Sequence, residues 1–380
     1  MKKDDYEVDS SEFQGMFAGS IIFWSIAGLY ICFMCCQWKN IALGASILQA
    51  SSDFLSSNTR IILMPVFIYI LMIPIAGVWL FSTVHLMSLG TPYYIPDSYV
   101  SGMIYENTIT YLFLFMLFGL FWVIAFLDAI QMFSIAATCC MWYFSGQGSD
   151  DASKTGSVSI MLSFKWALWY HLGSLAWGSF LIAVITMIKV IFEYFAHKLE
   201  KTTGNNPLVK CALCCGRCCI WMLDSYIKFI NKNAYIQVAI HNKSFCKGAW
   251  ESFYLIIRHA GRFSASNLAE TLITLLGKGG LITLNVWLTY LLVGAYLPEV
   301  ESPVMPMVFV GIITFIVSSL FLTVYSFSAL SILQCFLLDE DFGGSTKTPD
   351  SLKPFIEKSE KREAAKKLNQ RDDDKNNNMS

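Results

Sequence analysis

Along the chain, long apolar runs alternate with short polar stretches. The runs are Met16–Cys36, Ile61–Met87, Ile109–Phe144, Ile160–Phe195, Cys211–Ile240, Gly280–Pro298 and Val304–Leu338. Each accommodates the roughly 20 residues that cross a hydrocarbon core at about 1.5 Å per residue. None alternates with the period of two expected of a barrel strand, and backbone polar groups cannot stay unpaired in lipid. The pattern predicts an all-α, polytopic transmembrane helical bundle of about seven crossings, spanning residues 16–340 between an external segment 1–15 and a tail 341–380.

Two stretches predict helices at the membrane surface. Between Cys246 and Lys278, Trp250, Phe253, Ile257 and Phe263 recur at near-helical spacing among basic residues, and ILQASSDFLSS has a similar character. After Asp350 the chain is rich in lysine and asparagine and poor in apolar residues, which predicts disorder apart from a short helix.

Composition agrees with the pattern: 55% of the 380 residues are hydrophobic and only 14% are charged. A net charge of −1 offers no basic face for nucleic acid. The position of the charges says more. Lys39 and Arg60 flank the first inter-run link and Lys165 follows the link after Phe144, whereas Leu86–Asn107 has no Lys or Arg. The positive-inside rule then puts the N-terminus outside and the C-terminal tail in the cytoplasm. The start, MKKDDYEVDSSEFQ, lacks the apolar core of a cleavable signal. Cys211–Ile240 is assigned as a crossing because the chain must return to the cytoplasm before Gly280, despite its several basic residues.

Candidate chemistry lies in three places. Five cysteines, Cys211, Cys214, Cys215, Cys218 and Cys219, fall on one helical face. Close helix packing, S-acylation near the interface and a metal site are open readings, with packing the simplest. Charges inside apolar runs are the second group: Asp128 with Gln131 nearby, Lys189 and Glu193 four apart, and Asp224 and Lys228 four apart. Each charge costs about 2.5–3.5 kcal/mol on insertion scales unless it faces protein or water, so such residues mark a solute path. The two pairs can also simply neutralise each other along the helix. Asp128 has no basic residue at i±3 or i±4. Third, Trp166, Tyr170, Ser174, Trp177 and Leu181 share a helical face suited to a quaternary ammonium through cation–π attraction, or to plain core packing. No hydrolase, metalloprotease or phosphate-loop motif occurs, which predicts no enzyme and no cofactor.

The runs YHLGSLAWG, EYFAHKL, NNPLVKCALCCGRCCIW and FINKNAYIQVAI, in this order, resemble the choline transporter-like protein family. Tyr170, His171, Gly173, Ser174 and Gly178 match one family run, Glu193, Tyr194, His197 and Lys198 the next, and Asn231, Asn233, Ala234 and Tyr235 a later one. The resemblance extends to about Leu338 and corresponds to the last seven of the family's ten helices. Trp169 stands where relatives carry arginine, and Gln49 where they carry glutamate.

The resemblance implies alternating-access transport of choline or a related organic cation in the plasma membrane, with an intracellular membrane and proton coupling left open. Its site residues would be Trp122, Asp128, Tyr170, Trp177 and Glu193, with Gln131, Asp224, Asn231 and Asn233 as polar pathway residues. The partners implied are choline or a similar small cation and the lipid bilayer. A different class also remains open: a non-transporting structural or accessory subunit of a larger membrane complex.

Overall fold

The computed structural model describes residues 38–93, 102–145, 158–204, 207–296, 302–342 and 348–355, with isolated positions between 17 and 28. The crossing expected at Met16–Cys36 lies mostly outside these residues; Ile21 and Trp24 within it are helical and exposed.

Helix α1 (Trp38–Ser57) buries Leu43, Ile47, Ala50 and Phe54 and leaves Asp53 outward, the half-apolar character expected of this stretch. Its Gly44 lies so close to α8 (Ala260–Tyr296) that a Cβ would sit 3.2 Å from the Ser266 Cα. Against α9 (Val304–Asp341) the contact is a hydrogen-bonded exchange. Tyr325 Oη donates to the Leu48 carbonyl at 3.0 Å, and Ser51 Oγ donates to the Tyr325 carbonyl at 3.2 Å.

A 3-10 turn (Thr59–Leu63) leads into α2 (Met64–Met87), where Pro65 occupies the first turn and forfeits no hydrogen bond there. A two-stranded antiparallel ribbon follows, β1 (Thr91–Tyr93) with β2 (Gly102–Ile104), pairing Thr91 with Ile104. It belongs to the stretch without Lys or Arg. Helix α3 (Asn107–Ser145) comes next and packs against α2, α9 and the helices that follow it in the chain.

The apolar run Ile160–Phe195 is not one helix. It divides into α4 (Ile160–Trp169) and α5 (Leu172–Thr203) because the amides of Tyr170 and His171 both bond back to the Trp166 carbonyl, at 3.0 and 3.2 Å. The helical ladder restarts at His171, whose carbonyl accepts from the Leu175 amide at 3.0 Å. Ser159 caps α4 through its side chain, and Gly204, at φ 66°, ends α5 in a backbone region that suits glycine.

Helices α6 (Pro207–His241) and α7 (Phe245–Arg258) are joined through Asn242, at φ 53°, a position that asparagine tolerates well. Of the stretch Cys246–Lys278, expected to be a surface helix, α7 covers the first part and has one buried and one exposed face. Trp250 and Ile257 there face outward while Phe245, Ser252 and Leu255 are buried. From Ala260 onward a single helix, α8, runs to Tyr296, so the segment expected to cross at Gly280–Pro298 is the second part of a helix of 37 residues.

Among the described residues five helices are long and apolar enough to cross a membrane: Thr59–Met87, Asn107–Ser145, Leu172–Thr202, Ala260–Tyr296 and Val304–Asp341. The chain forms an all-α bundle of the kind that spans a bilayer. Helix α6, assigned from sequence as a crossing, is continuous but does not belong to these five, because Lys210, Arg217, Asp224, Lys228 and Lys232 interrupt its apolar character.

Burial concentrates at one end of the bundle. On α3 it covers Ala125 to Tyr143, on α9 Val324 to Asp339 and on α6 Asn231 to Val238, while Phe115 and Phe309 at the other end are about 70% exposed. Part of the tail expected to be disordered joins this packed end. Leu352 is fully buried, and Thr348 donates to Asp339 Oδ2 at 2.8 Å, an oxygen that also accepts from Tyr143 Oη at 3.1 Å. The apolar Leu352 and Phe355 pack into the core cluster there.

Candidate functional site

Asp128 lies midway along α3, where the helix passes from its exposed half into its buried half, and its side chain lines two cavities. The first, about 330 Å³, is walled by α3, α5 and α6 through Phe121, Met132, Ile182, Thr186, Asn231 and Tyr235. The second, about 360 Å³, lies between α3, α8 and α9 and is more polar, with Gln131, Asn267, Glu270, Thr274, Lys278 and Ser326. Lys232 of α6 lines both, so these two cavities share one acid and one base.

Polar atoms in these walls are left without protein partners. Asn231 Nδ2 donates to the Gly178 carbonyl at 3.0 Å, but its Oδ1 has no partner, nor has Tyr235 Oη or Gln131 Oε1. Buried polar atoms are normally satisfied, so unpaired ones at a cavity suit a bound solute or water. Gly178 makes this wall possible: a Cβ there would collide with Tyr235 and Phe245, so α5 could not approach α6 and α7 as closely.

Behind the first cavity, the buried half of α6 is tied to α9 by side-chain amides. Gln334 Nε2 donates to Asn233 Oδ1 at 2.7 Å, and Gln237 Nε2 donates to Gln334 Oε1 at 2.7 Å. Asn233 therefore positions α6 rather than lining either cavity, and Asn231 contributes to the first wall directly.

The remaining expected residues separate. Trp122 and Trp177 meet in an aromatic cluster around Phe180, with ring centroids 5.6 and 5.9 Å from it, and the Trp122 indole donates to the Ala176 carbonyl at 3.2 Å. The break after Trp169 parts Tyr170 from Trp177. Tyr170 instead joins Trp166 and His171 around another cavity of about 350 Å³. The proposed continuous aromatic face is therefore divided, because it assumed one helix across residues 166–181.

Glu193 is committed elsewhere. Its carboxylate accepts from Arg217 of α6 at 3.1 Å, and Arg217 also holds Glu200 at 3.1 Å. Asp224 is held by Lys228 at 2.9 Å and by Lys189 of α5 at 3.6 Å. Of the two in-helix pairs expected from spacing, Asp224 with Lys228 is formed. Lys189 and Glu193 instead reach across to α6, where partners of opposite sign lie within range. These charges bind α5 to α6, and neither Glu193 nor Asp224 lines the two Asp128 cavities.

Sequence reasoning missed Lys232, Glu270, Thr274 and Lys278. A signal was present: Asn267, Glu270, Thr274 and Lys278 follow one another at spacings of three, four and four, a polar stripe beside Leu272, Ile273, Leu275 and Leu276. Assigning that stretch to the membrane surface hid it.

The chain is thus a helical bundle of the membrane-spanning kind in which one carboxylate lines two adjoining cavities. The family model described as plasma-membrane choline transporter matches residues 21–341, and the chain belongs to that family. It is 36% identical over 234 residues to a protein named choline transporter-like 2 from Anopheles gambiae, covering 61% of this chain and 29% of that one. With choline transporter-like protein 2 from Dictyostelium discoideum it shares 27% identity over 89% of this chain and 53% of the relative. With the protein of that name from Salmo salar it shares 32% identity over 71% and 40%, respectively. The matched region thus spans about half or less of the length of these relatives.

Proposed function

We propose that this integral membrane protein takes part in moving choline or a related organic cation, and that the cation is held at Asp128. The observation that carries the reading is the sharing of Asp128 by two adjoining cavities beside α3. Family membership supports a transport role, and the relatives' names point to choline.

A trimethylammonium group donates no hydrogen bond from its nitrogen. Its site needs compensating charge and polarisable walls. Asp128 supplies the charge; Phe121 and Tyr235 on one side and Tyr69 on the other supply ring surface. Volumes near 330 and 360 Å³ lie at the lower end of the ~300–1,000 Å³ typical of small-molecule sites, which suits a small solute. The hydroxyl of choline can pair with the open Asn231 Oδ1 or Gln131 Oε1.

Lys232 opposes a cation in either cavity. Lys228 adds a second positive charge to the first cavity, so the substrate must hold Asp128 against these lysines. Passage from one cavity to the other around α3 gives the acid a place in alternating access. Trp122 and Trp177 shape the α3–α5 contact beside the first cavity. The plasma membrane is the expected location.

Labelled choline uptake into vesicles containing this chain tests the proposal. Accumulation above empty vesicles is expected. Uptake equal to that of empty vesicles, while a full-length relative reconstituted in the same way transports, would contradict it.

A further inference from the structure

The five clustered cysteines have no role in the reading above, and the structure changes what they can do. On a helix of 3.6 residues per turn, Leu213, Arg217, Asp224 and Asn231 form one stripe of α6. That stripe meets α5: Leu213 is buried, Arg217 holds Glu193 and Glu200, Asp224 holds Lys189, and Asn231 bonds to Gly178. Gly216 completes the contact, since a Cβ there would lie 2.6 Å from the Phe192 ring.

Cys211, Cys214, Cys215, Cys218 and Cys219 centre on the opposite side, and all five are free and exposed. Among the described residues the helix contact runs through the stripe that meets α5 and not through the thiols. Nor do they gather around a metal: among the described residues no group of three or more His, Cys, Asp or Glu is placed to hold one. The same outward face continues through Met222, Tyr226 and Phe229, all exposed, so the thiols begin an apolar strip. Lys198 and Lys201 at the end of α5 and Lys210 at the start of α6 lie just before them in the chain. Basic residues followed by thiols and then an apolar strip is the order of a helix leaving an anionic lipid surface.

We infer that this face is a site of S-acylation by long-chain fatty acyl groups. In the reaction a cysteine sulfur attacks the thioester carbonyl of a fatty acyl-coenzyme A, delivered by a membrane acyltransferase. The bond from the carbonyl carbon to the coenzyme sulfur breaks, and coenzyme A leaves as the thiol with the proton from cysteine. No oxidant or reductant takes part. Each acyl chain adds membrane affinity through its buried methylenes, so two or more acyl groups would fix the outer face of α6 in the lipid. The inference rests on thiol exposure and stands apart from the transport reading.

The test is acyl exchange on the full chain expressed in a eukaryotic membrane: free thiols are blocked, thioesters are cleaved with hydroxylamine, and the released thiols are tagged with a polyethylene glycol maleimide. A ladder of hydroxylamine-dependent mass shifts is expected in most molecules. Replacing all five cysteines by alanine should abolish it, and Cys246→Ala, an exposed thiol on α7, should leave it unchanged. Absence of any hydroxylamine-dependent shift in the unmodified sequence would overturn the inference, without reliance on a variant that misfolds. Persistence of the full ladder in the five-alanine variant would overturn it as well.

Discussion

The two halves of α6 share one uninterrupted helix and stand in opposite relations to the bundle. From Pro207 to Lys228 the helix touches its neighbour through charges and turns thiols and aromatic rings outward. From Asn231 to Val238 it is buried apart from Lys232 and held by amide hydrogen bonds to α5 and α9. Half-exposed ion pairs contribute little, since water competes for both partners, whereas a buried amide that loses its partner incurs the whole desolvation penalty. The second half should therefore be the rigid wall against which Asp128 works, and the first half an adaptable, lipid-facing arm.

Gln334→Leu should break the rigid half most severely. It strands Asn233 Oδ1 and Gln237 Nε2 in the core, and at ~1–3 kcal/mol for each orphaned group the loss should be about 2–6 kcal/mol. A lower Tm in detergent, together with lost choline uptake, checks this. Asp224→Ala should cost less, about 1–2 kcal/mol, because the two lysines it strands are each nearly half exposed and can turn to water. The same Tm measurement applies. Lys232→Met should leave Tm close to that of the unmodified protein and tighten choline binding by about tenfold, the effect of removing one competing charge worth ~1.4 kcal/mol. Equilibrium binding of labelled choline measures it, and weaker binding would show that Lys232 assists the cation. Arg217→Ala, on the exposed half, should change neither Tm nor choline affinity measurably, although it frees Glu193 and Glu200.

Much of this contrast was legible in the sequence. Apolar runs of bilayer length gave the all-α bundle, and the isolation of Asp128 from any basic residue one helical turn away marked it as the unusual charge. The partition of the polar residues was not legible, because it depends on which helices lie side by side. Lys189 and Glu193 look like a self-contained pair at a spacing of four, yet each finds a partner on α6. The break at Tyr170 also escaped a hydropathy reading, since Trp169, Tyr170 and Leu172 keep the run apolar while two backbone amides converge on the Trp166 carbonyl and end the helix at Trp169. Exposure of the five thiols was beyond reach for a similar reason: helical spacing establishes that they share a face, and only the position of α5 establishes which way it points.

Asp128 and Glu193 offer the most direct test, being two carboxylates that the sequence put in one site and the structure separates. One lines both cavities and the other is clamped by Arg217. Equilibrium binding of labelled choline to the purified protein should weaken by tenfold or more in Asp128→Asn, a loss of at least ~1.4 kcal/mol, and stay within about twofold in Glu193→Gln. Unchanged affinity in Asp128→Asn, with the loss appearing in Glu193→Gln instead, would contradict the assignment of the cation to the cavities around α3.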